Sequence, residues 1–578
     1  MELFVPVRSD VAESIVASGV FDALVDADRD RLLDAFDGVR LVTGETLMEQ
    51  GDVGDALYVV RHGRLRTLVA DATGHSVEVG QVGKGEIVGE MALLTDEPRA
   101  ATVIAMRDTE LFRLPAAAFE LFTSGHPQLM RPFAGVVVGR LRDALTSPPR
   151  PTLPATIVLL PTPGAAIAEL ATALAERLSG YRTAIVGAAA AADQDNPAAW
   201  LLDLENDVDV SLLIADDTPT AWTRQCLRHA DRVFLVAEER RSPAKTSIEA
   251  DPQCAARLAE LPVELVMSYR RHASSSAWLA GREMKAHHNL REGSSEDIMR
   301  LVRRLTGSAS VLALGGGGAR GFAHLGVIRA LLEADIPIDA IVATSAGAIV
   351  GGGFAYVGDI DTCESVLLDW FDKVRWRRDM NPPSISLLTG RLITEAFQTF
   401  FGDAQIEDLK LDFVAVSCDL TSAAPYAHTD GPLWRAIRAS AAVPGIFPPV
   451  AIDGRVLVDG GLVANLPVEI ARQRHPGSHI TAVEVGDPTG IEVGDMDGSG
   501  IASGWRLPFS SGGAGPTLPR VMMRLTELGR HDGSDQADAL LMPDVAGFGL
   551  TDTRPARDII VRGYEATRAA IEAGELSV

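Results

Sequence analysis

The chain has 578 residues, 47% hydrophobic and 23% charged, which is typical of a globular protein and allows about three or four domains. Its formal net charge of −25 argues against nucleic-acid binding and gives no electrostatic attraction to an anionic membrane. The four cysteines are scattered without a CxxC pair, so no metal site is predicted and a reducing cytoplasm is the expected location.

The first region carries short alternating segments, at 56–60, 65–69 and 77–79, separated by Gly and Asp. This pattern predicts a small β-barrel. The proline-dense stretch 147–154 excludes helix and is typical of a linker. A first domain is therefore predicted over residues 1–147.

Within that barrel, one segment has the residue types that bind a phosphate and a ribose. Backbone N–H groups near a helix start can hold a phosphate, Arg99 can pair with it, and Glu90 can accept a bond from a ribose hydroxyl. The segment resembles the phosphate-binding cassette of cyclic-nucleotide-binding domains, of the cAMP type. The resemblance implies cAMP as an allosteric ligand; the alternative is a degenerate barrel kept only for contacts. The implied binding residues are Gly89, Glu90, Met91, Ala92, Arg99, Ala100 and Ala101.

The middle region alternates apolar runs with helical stretches, as at 157–160, 165–178 and 211–214. This predicts an α/β domain with a parallel sheet over residues 155–300. It contains no GxxxxGK[ST] motif, so nucleotide hydrolysis is not expected there and a structural or docking role is favoured.

The third region, 301–578, again alternates strand and helix, with a Gly/Ser-rich stretch at 486–519 that is predicted to be mobile. A glycine loop, Gly315–Gly321, follows an apolar strand. Backbone N–H groups of Gly316, Gly317 and Gly318 can stabilise a developing oxyanion. The alternative is a dinucleotide loop, but no acidic residue ends the next strand where a ribose partner belongs.

Two further residues belong to the predicted oxyanion loop, and a serine after the next strand is the predicted nucleophile. Arg320 is expected to hold the loop shape or add positive potential, and Gly321 closes the motif. Ser345 lies between an apolar strand and a small-residue helix, as in a nucleophile elbow, although the first glycine of G-x-S-x-G is Ala343. The alternative role for this serine is a helix N-cap.

The base that a serine nucleophile needs is predicted to be Asp459. An apolar strand, 456–458, delivers this carboxylate into the Gly460-Gly461 turn. An ordinary Asp-Gly turn is the alternative. His324, one turn into the helix after the glycine loop, is expected to be a packing or capping residue.

These motifs, in this order, resemble the patatin-like phospholipases, and the resemblance implies a Ser345–Asp459 dyad without histidine. The segment 439–449 also looks like a block of that family and would shape the acyl-binding side. The order of barrel, α/β middle domain and patatin-like domain resembles the neuropathy target esterase family, as do the segments 220–231 and 288–307.

The resemblance implies a multidomain serine esterase for acyl esters of phospholipids or lysophospholipids, regulated by cAMP, that needs no cofactor for catalysis. The expected location is cytoplasmic, with peripheral membrane contact and homo-oligomerisation left open. The alternative function is a cyclic-nucleotide sensor whose hydrolase-like domain mainly binds lipid or a partner.

Overall fold

The computed structural model describes residues 2–21, 24, 26–70, 76–95, 97–146, 153–194, 196–239, 241–373, 378–380, 385–486, 521–522 and 534–576. The predicted mobile stretch, from residue 487 on, and most of the predicted linker lie outside these residues. The chain divides into two compact units, Met1–Val266 with Glu283–Ala286, and Met267–Arg282 with His287–Val578.

The first unit begins with a β-barrel built from two antiparallel sheets. The sheets have the strand orders β1-β2-β9-β4-β7 and β3-β8-β5-β6. Alternate residues of β2, β4 and β9 fill the barrel interior, as the short alternating segments predict. The strands are β1 Glu2–Phe4, β2 Asp37–Leu41, β3 Thr46–Met48, β4 Ala56–His62, β5 Leu65–Ala70, β6 Ser76–Val82, β7 Ile87–Val88, β8 Thr102–Ala105 and β9 Thr109–Pro115; the helices are α1 Arg8–Ser18, α2 Asp26–Leu33, α3 Glu90–Thr95, α4 Ala116–Gly125 and α5 Met130–Thr146.

The same unit continues into a parallel α/β sheet, with β11, β12, β10 and β13 as neighbours in that order. The boundary between the two units runs through β14 and β15. The strands are β10 Thr156–Pro161, β11 Thr183–Val186, β12 Val210–Ile214, β13 Arg232–Glu238, β14 Val263–Tyr269 and β15 Ala286–Arg291; the helices are α6 Ile167–Arg177, α7 Ala188–Ala192, α8 Pro197–Asp207, α9 Ala221–His229, α10 Ser247–Ala250 and α11 Pro252–Leu258.

A buried ionic cluster joins the barrel to this α/β sheet inside the first unit. Arg107, in the β8–β9 turn of the barrel, is 2% exposed and contacts the carboxylates of Glu205 and Asp231 from the α/β sheet. Its Nη1 also donates to the hydroxyl of Thr156 and the backbone carbonyl of His229. An unpaired buried charge is strongly unfavourable, so these contacts stabilise Arg107 and tie together two regions that the sequence predicts as separate domains.

The second unit is a mixed eight-stranded sheet in the order β20-β21-β18-β17-β16-β22-β23, with β19 paired to β18. Strands β18, β17, β16, β22 and β23 are parallel, whereas β19, β21 and β20 run antiparallel to their neighbours. The strands are β16 Ser310–Leu314, β17 Ala340–Thr344, β18 Asp412–Asp419, β19 Ala424–His428, β20 Val450–Ile452, β21 Arg455–Asp459, β22 His479–Val483 and β23 Ala539–Leu541; the helices are α12 Ser275–Leu279, α13 Ser295–Leu305, α14 Ala323–Glu333, α15 Ala346–Val357, α16 Ile360–Lys373, α17 Arg391–Phe401, α18 Leu433–Ser440, α19 Val468–Arg474 and α20 Ala556–Glu572.

This sheet is covered on both faces, which explains why its central strands are continuous apolar runs. In β16, Leu312 and Leu314 pack into one core, and Val311 and Ala313 pack into the core on the other face. The architecture confirms the predicted fold class of a β-barrel, a parallel α/β region and a C-terminal α/β hydrolase-like region. Among the described residues no helix is long and apolar enough to cross a bilayer.

The close packing of α14 against α20 should make their glycines sensitive to substitution. A Cβ atom on Gly563 would lie 2.0 Å from the carbonyl oxygen of Ala323. Gly563→Ala should therefore lower the free energy of unfolding by about 1–3 kcal/mol or more through overpacking. Urea unfolding of the full chain measures this change.

Gly139→Ala is the matched control, because Gly139 also lies in a helix but a Cβ there meets nothing within 4 Å. It should be neutral or stabilising by up to about 1 kcal/mol, as expected from helix propensity. Equal unfolding midpoints for Gly563→Ala and the wild type would contradict the close approach.

Candidate active site

Ser345 occupies a sharp turn between strand β17 and helix α15. Its φ of 54° and ψ of −118° are rare for a residue with a side chain, and such strain is typical of a nucleophile elbow. The turn is closed tightly, since a Cβ on Gly347 would lie 2.5 Å from the carbonyl oxygen of Leu314. Ala343, where the motif usually has glycine, is fully buried within β17 beside Ala415. An alanine therefore fits there, and the strained turn is kept.

Asp459 lies within direct hydrogen-bonding distance of Ser345. The Ser345 hydroxyl donates to Asp459 Oδ2 at 2.6 Å, and the N–H of Gly461 donates to Oδ1 at 2.8 Å. The carboxyl group is 1% exposed. Burial raises its pKa to about 6, although the bonds from Ser345 and Gly461 act to lower the pKa. Such a carboxylate is still ionised at neutral pH and is a stronger base than an exposed one.

The position of Asp459 depends on a close passage of the chain over strand β18. Strand β21 pairs antiparallel with β18, and Asp459 lies opposite Ser417. Strand β18 is therefore paired both with β21, which carries Asp459, and with β17, which precedes Ser345. The chain then turns at Gly460, where a Cβ would lie 2.3 Å from the Val416 carbonyl oxygen and 3.0 Å from the Thr344 side chain. Only a glycine permits this passage, and the carboxylate thereby reaches Ser345.

The glycine loop lies beside Ser345, but its three predicted donors are not equivalent. A Cβ on Gly316 would lie 3.1 Å from Cβ of Ser345. The Gly316 N–H already donates to the backbone carbonyl of Asn465 at 3.1 Å, so its prediction as an oxyanion donor is corrected. Among the described residues, no acceptor takes the N–H of Gly317 or Gly318. Those two amides remain available to an oxyanion.

The other residues of the loop have packing roles. The guanidinium of Arg320 is 5% exposed and donates to the carbonyl oxygens of Ala546 and Phe548, so it holds the loop against the C-terminal segment. A Cβ on Gly321 would lie 2.5 Å from the Cβ of Ala346, which requires glycine where the loop meets helix α15.

His324 does not reach the serine and is fully buried in helix α14. Its Nε2 lies 2.8 Å from the carbonyl oxygen of Gly315, and burial lowers its pKa to about 4. A neutral ring in this place holds the start of the glycine loop. Its location agrees with the expectation of a packing residue.

Sequence reasoning missed two residues that support the site. Ser440, at the end of α18, accepts the Ser345 N–H at 2.9 Å and donates to Val416 at 2.6 Å. Asn465 accepts the Gly316 N–H and donates weakly to the Gly316 carbonyl, at 3.4 Å. Ser440 lies in the family-like block 439–449, which is the only sequence feature that points to it. No sequence feature points to Asn465.

The predicted nucleotide residues are grouped in the barrel, but their charged side chains are already paired. Arg99 is 3% exposed and donates to the carbonyl oxygens of Gly89 and Ala56 and to the carboxylate of Asp55. Glu90 is 1% exposed and contacts the guanidinium of Arg140 from helix α5. A ligand that used both side chains would have to exchange these partners.

The remaining cassette residues border the same helix start. Gly89 has a φ of 89°, Met91 and Ala100 are exposed, Ala92 is buried and Ala101 is half-buried. The described residues contain no group of three or more His, Cys, Asp or Glu side chains placed to hold a metal ion.

Three family models match separate regions of the chain. A patatin-like phospholipase model matches residues 312–472, which include both Ser345 and Asp459. A cyclic nucleotide-binding domain model matches 39–126, and a neuropathy target esterase family P-loop like domain model matches 190–304.

Curated relatives match most of this chain. Neuropathy target esterase sws of Drosophila melanogaster is 29% identical over 85% of this chain and 39% of the relative. Human patatin-like phospholipase domain-containing protein 6 is 30% identical over 85% of this chain and 41% of the relative. Lysophospholipase nte1 of Aspergillus fumigatus is 27% identical over 92% of this chain and 41% of the relative. The chain thus spans about two fifths of the length of these relatives.

Two solved structures are similar to between a fifth and a quarter of this chain. The catabolite activator protein of Thermus thermophilus is 31% identical over 22% of this chain and 59% of that chain, with a TM-score of 0.21. A cAMP-bound regulatory domain from Toxoplasma gondii is 24% identical over 24% of this chain and 50% of that chain, also with a TM-score of 0.21.

The buried carboxylate of Asp459 should cost stability at neutral and alkaline pH. Its folded-state pKa of about 6 exceeds the usual 3.8, so its ionisation opposes folding above pH 6 and this penalty fades as the pH falls. Asp459→Asn should be more stable than the wild type at pH 8, by about 3 kcal/mol, and the difference should shrink toward pH 4. Urea unfolding at several pH values measures it.

Asp558→Asn is the control, because it removes an exposed carboxylate from the first turn of helix α20. Its stability should stay within about 1 kcal/mol of the wild type, which is the usual contribution of an acidic residue in the first turn of a helix. A pH-independent difference between Asp459→Asn and the wild type would show that Asp459 is not a buried titrating group.

Proposed function

We propose that this homologue of neuropathy target esterase, with a cyclic nucleotide-binding domain ahead of a patatin-like phospholipase domain, is a serine esterase acting on phospholipid or lysophospholipid acyl esters. The observation that carries the proposal is the 2.6 Å hydrogen bond from the Ser345 hydroxyl to the buried Asp459 carboxylate. No imidazole intervenes between these two groups, so the chemistry is that of a Ser-Asp dyad.

In the first step Ser345 Oγ attacks the ester carbonyl carbon while Asp459 Oδ2 takes the hydroxyl proton. The tetrahedral oxyanion is stabilised by the free N–H groups of Gly317 and Gly318, each such donor contributing about 2.7–4 kcal/mol. The proton passes from Asp459 to the leaving alcohol oxygen as the ester bond breaks, which leaves an acyl-enzyme on Ser345.

In the second step water attacks the acyl-enzyme with Asp459 again as the base. The proton returns to Ser345 Oγ as the acyl bond to the enzyme breaks, and a fatty acid is released. The raised pKa of Asp459 supports both transfers, because a carboxylate of pKa about 6 accepts a proton more readily than one of pKa 3.8.

The lipid substrate class is supported by the relatives rather than by the dyad, which would serve any acyl ester. The relatives that match 85% and 92% of this chain are a patatin-like phospholipase domain-containing protein and a lysophospholipase. We propose that the enzyme lies in the cytoplasm, in peripheral contact with the lipid surface that holds its substrate, and that it self-associates.

A sensor that binds lipid without hydrolysing it is the second candidate, favoured by the nucleotide-binding domain match. A sensor function does not explain why Ser345 has a strained backbone conformation and donates a hydrogen bond to the buried Asp459 carboxylate. A fluorophosphonate probe separates the candidates, since a pure binding protein would not react at Ser345.

We further propose that cAMP binds the barrel near Arg99 and regulates hydrolysis. The nucleotide-binding domain match and the presence of both Glu90 and Arg99 support this. Strand β8 begins directly after the cassette and leads to Arg107, whose buried ion pairs reach the α/β sheet. A conformational change at the cassette would therefore be transmitted through β8 and Arg107 to the α/β sheet.

Ser345→Ala should reduce ester hydrolysis to the uncatalysed background and abolish fluorophosphonate labelling, because the nucleophile is removed. The two readouts are release of fatty acid from lysophospholipid and labelling of the full chain. Ser422→Ala, which removes an exposed serine, should leave both unchanged. Wild-type turnover by Ser345→Ala would overturn the assignment.

Calorimetric titration with cAMP should show saturable binding that is lost in Arg99→Leu. Because Arg140 occupies the carboxylate of Glu90, Arg140→Ala should bind cAMP more tightly than the wild type does. Absence of heat with millimolar cAMP or cGMP, in both the wild type and Arg140→Ala, would contradict nucleotide binding.

A further inference from the structure

The first peptide unit of the glycine loop, between Gly315 and Gly316, has both of its polar groups bonded. Each peptide unit carries one carbonyl and one N–H group, and a buried loop must place both. The Gly315 carbonyl oxygen lies 2.8 Å from Nε2 of His324. The Gly316 N–H donates to the backbone carbonyl of Asn465 at 3.1 Å. This unit is therefore fixed at both ends.

The next two peptide units carry the N–H groups that are available to an oxyanion. In the described part of the chain, no acceptor takes the N–H of Gly317 or Gly318, so each unit is held through its carbonyl alone. The Gly317 carbonyl accepts the backbone N–H of Arg320 at 3.2 Å. The Gly316 carbonyl accepts from the side-chain amide of Asn465 at 3.4 Å. Asn465 is thus the side chain that holds the unit carrying the Gly317 N–H.

The hydrogen bond to the Gly316 carbonyl also sets the direction of the Gly317 N–H. In a trans peptide unit the C=O and N–H groups point in opposite directions across a rigid plane. A donor that fixes the carbonyl therefore fixes the N–H on the other side of that plane. Hydrogen bonds in series polarise one another, so the bond to the carbonyl strengthens the N–H as a donor.

The unit between Gly316 and Gly317 needs such a restraint because glycine flanks it on both sides. Glycine changes backbone conformation at little steric cost, so this peptide plane can rotate when nothing holds its carbonyl. A half-turn would point the carbonyl oxygen toward the place where the N–H now points. The site would then present a partial negative charge where the transition state develops one, which is the reverse of oxyanion stabilisation.

Asn465 lies where it can supply this restraint. It is 5% exposed, and it follows Asp459 on the same segment of the chain. A Cβ on Gly316 would lie 2.6 Å from Asn465 Oδ1 and 3.1 Å from Cβ of Ser345. The carboxamide therefore lies directly on the backbone of Gly316, beside the candidate nucleophile. With its backbone carbonyl and its side-chain amide, this one residue binds both polar groups of Gly316.

We propose that Asn465 is a positioning residue for oxyanion stabilisation: through the Gly316 carbonyl it holds the Gly317 N–H in the direction that the tetrahedral intermediate requires. This inference rests on the proposed function and adds a residue that acts on the transition state without contacting the substrate. The competing role is structural alone, in which Asn465 fills the space between the glycine loop and the segment after Asp459.

The first test is Asn465→Leu, which removes the side-chain donor, keeps a side chain of comparable size and leaves the backbone carbonyl that holds Gly316. With the monomeric ester p-nitrophenyl butyrate, kcat should fall about 100- to 1000-fold, as when one oxyanion donor is removed. KM should change little, because the ground-state ester carries no developing charge. Wild-type kcat in a folded Asn465→Leu variant would overturn the proposal.

Two further variants separate the donor from general loss of a buried asparagine. Asn465→Gln retains an amide donor and should recover part of the lost kcat; a folded variant no better than Asn465→Leu would contradict a role for the donor. Asn289→Leu is the matched control, because Asn289 is also buried and donates to the carbonyls of Glu407 and Leu409 at 2.9 and 2.7 Å.

Asn289 is far from the dyad in the sheet. Leu409 precedes the start of β18, whereas Ser345 follows the end of the parallel strand β17, at the opposite edge. Asn289→Leu should lower the unfolding temperature and leave kcat per folded molecule unchanged. An equal loss of kcat per folded molecule in Asn289→Leu and Asn465→Leu would assign Asn465 to a structural role.

A trifluoromethyl ketone gives a measurement that does not depend on turnover. Ser345 Oγ bonds to the ketone carbon, the carbonyl electron pair moves to the oxygen, and the hydroxyl proton passes to Asp459, which leaves an oxyanion like that of the reaction. The inhibition constant should rise in Asn465→Leu by the factor by which kcat/KM falls. The oxyanion of the adduct should also become protonated at a higher pH, as followed by fluorine NMR.

The corresponding trifluoromethyl alcohol forms no oxyanion, so its affinity should be the same in the wild type and in Asn465→Leu. A structural role would weaken both ligands alike or neither, and either result would overturn the proposal. If the wild type hydrolyses no ester but forms the ketone adduct with the expected dependence on Asn465, the proposed function fails and the positioning role stands. If the wild type hydrolyses lysophospholipid and Asn465→Leu keeps full kcat, the positioning role fails and the esterase proposal stands.

Discussion

The hydrogen bond between Ser345 Oγ and Asp459 Oδ2 is the interaction on which the candidate active site depends. A carboxylate that serves as the base must be close to the serine and shielded from water, yet an unpaired buried carboxylate is strongly unfavourable. The protein meets these opposed demands with two hydrogen bonds to Asp459, from Ser345 and from the Gly461 N–H. The remaining penalty appears as the raised pKa of Asp459.

Bringing the dyad together requires backbone to pass closer to backbone than side chains allow. Glycine at 460 lets the chain after β21 pass against Val416, and glycine at 347 lets helix α15 start against Leu314. Ser345 itself accepts an uncommon backbone conformation and is held there by Ser440. The candidate site is therefore held in place by small residues and backbone contacts, and among the described residues no acceptor takes the N–H of Gly317 or Gly318.

The nucleotide cassette keeps its buried arginine paired within the protein. Arg99 in the barrel is paired with Asp55 and two carbonyls, so a nucleotide would compete with existing bonds.

The sequence by itself predicted Ser345 as the candidate nucleophile, Asp459 as the candidate base and the glycine loop as the candidate oxyanion site, because each lies in a short local pattern of strand, glycine turn and helix. The same local patterns located the barrel and the parallel α/β regions, whose alternating or continuous apolar runs reflect one or two buried faces.

Only the tertiary structure decided which of these groups meet. The N–H of Gly316 is taken by Asn465, 149 residues away, so the local pattern overcounted the oxyanion donors. The antiparallel pairing of β21 and the turn at Gly460 bring Asp459 to Ser345. Local patterns report on neighbours within a few residues, whereas these hydrogen-bond partners arise from contacts between segments far apart in the chain.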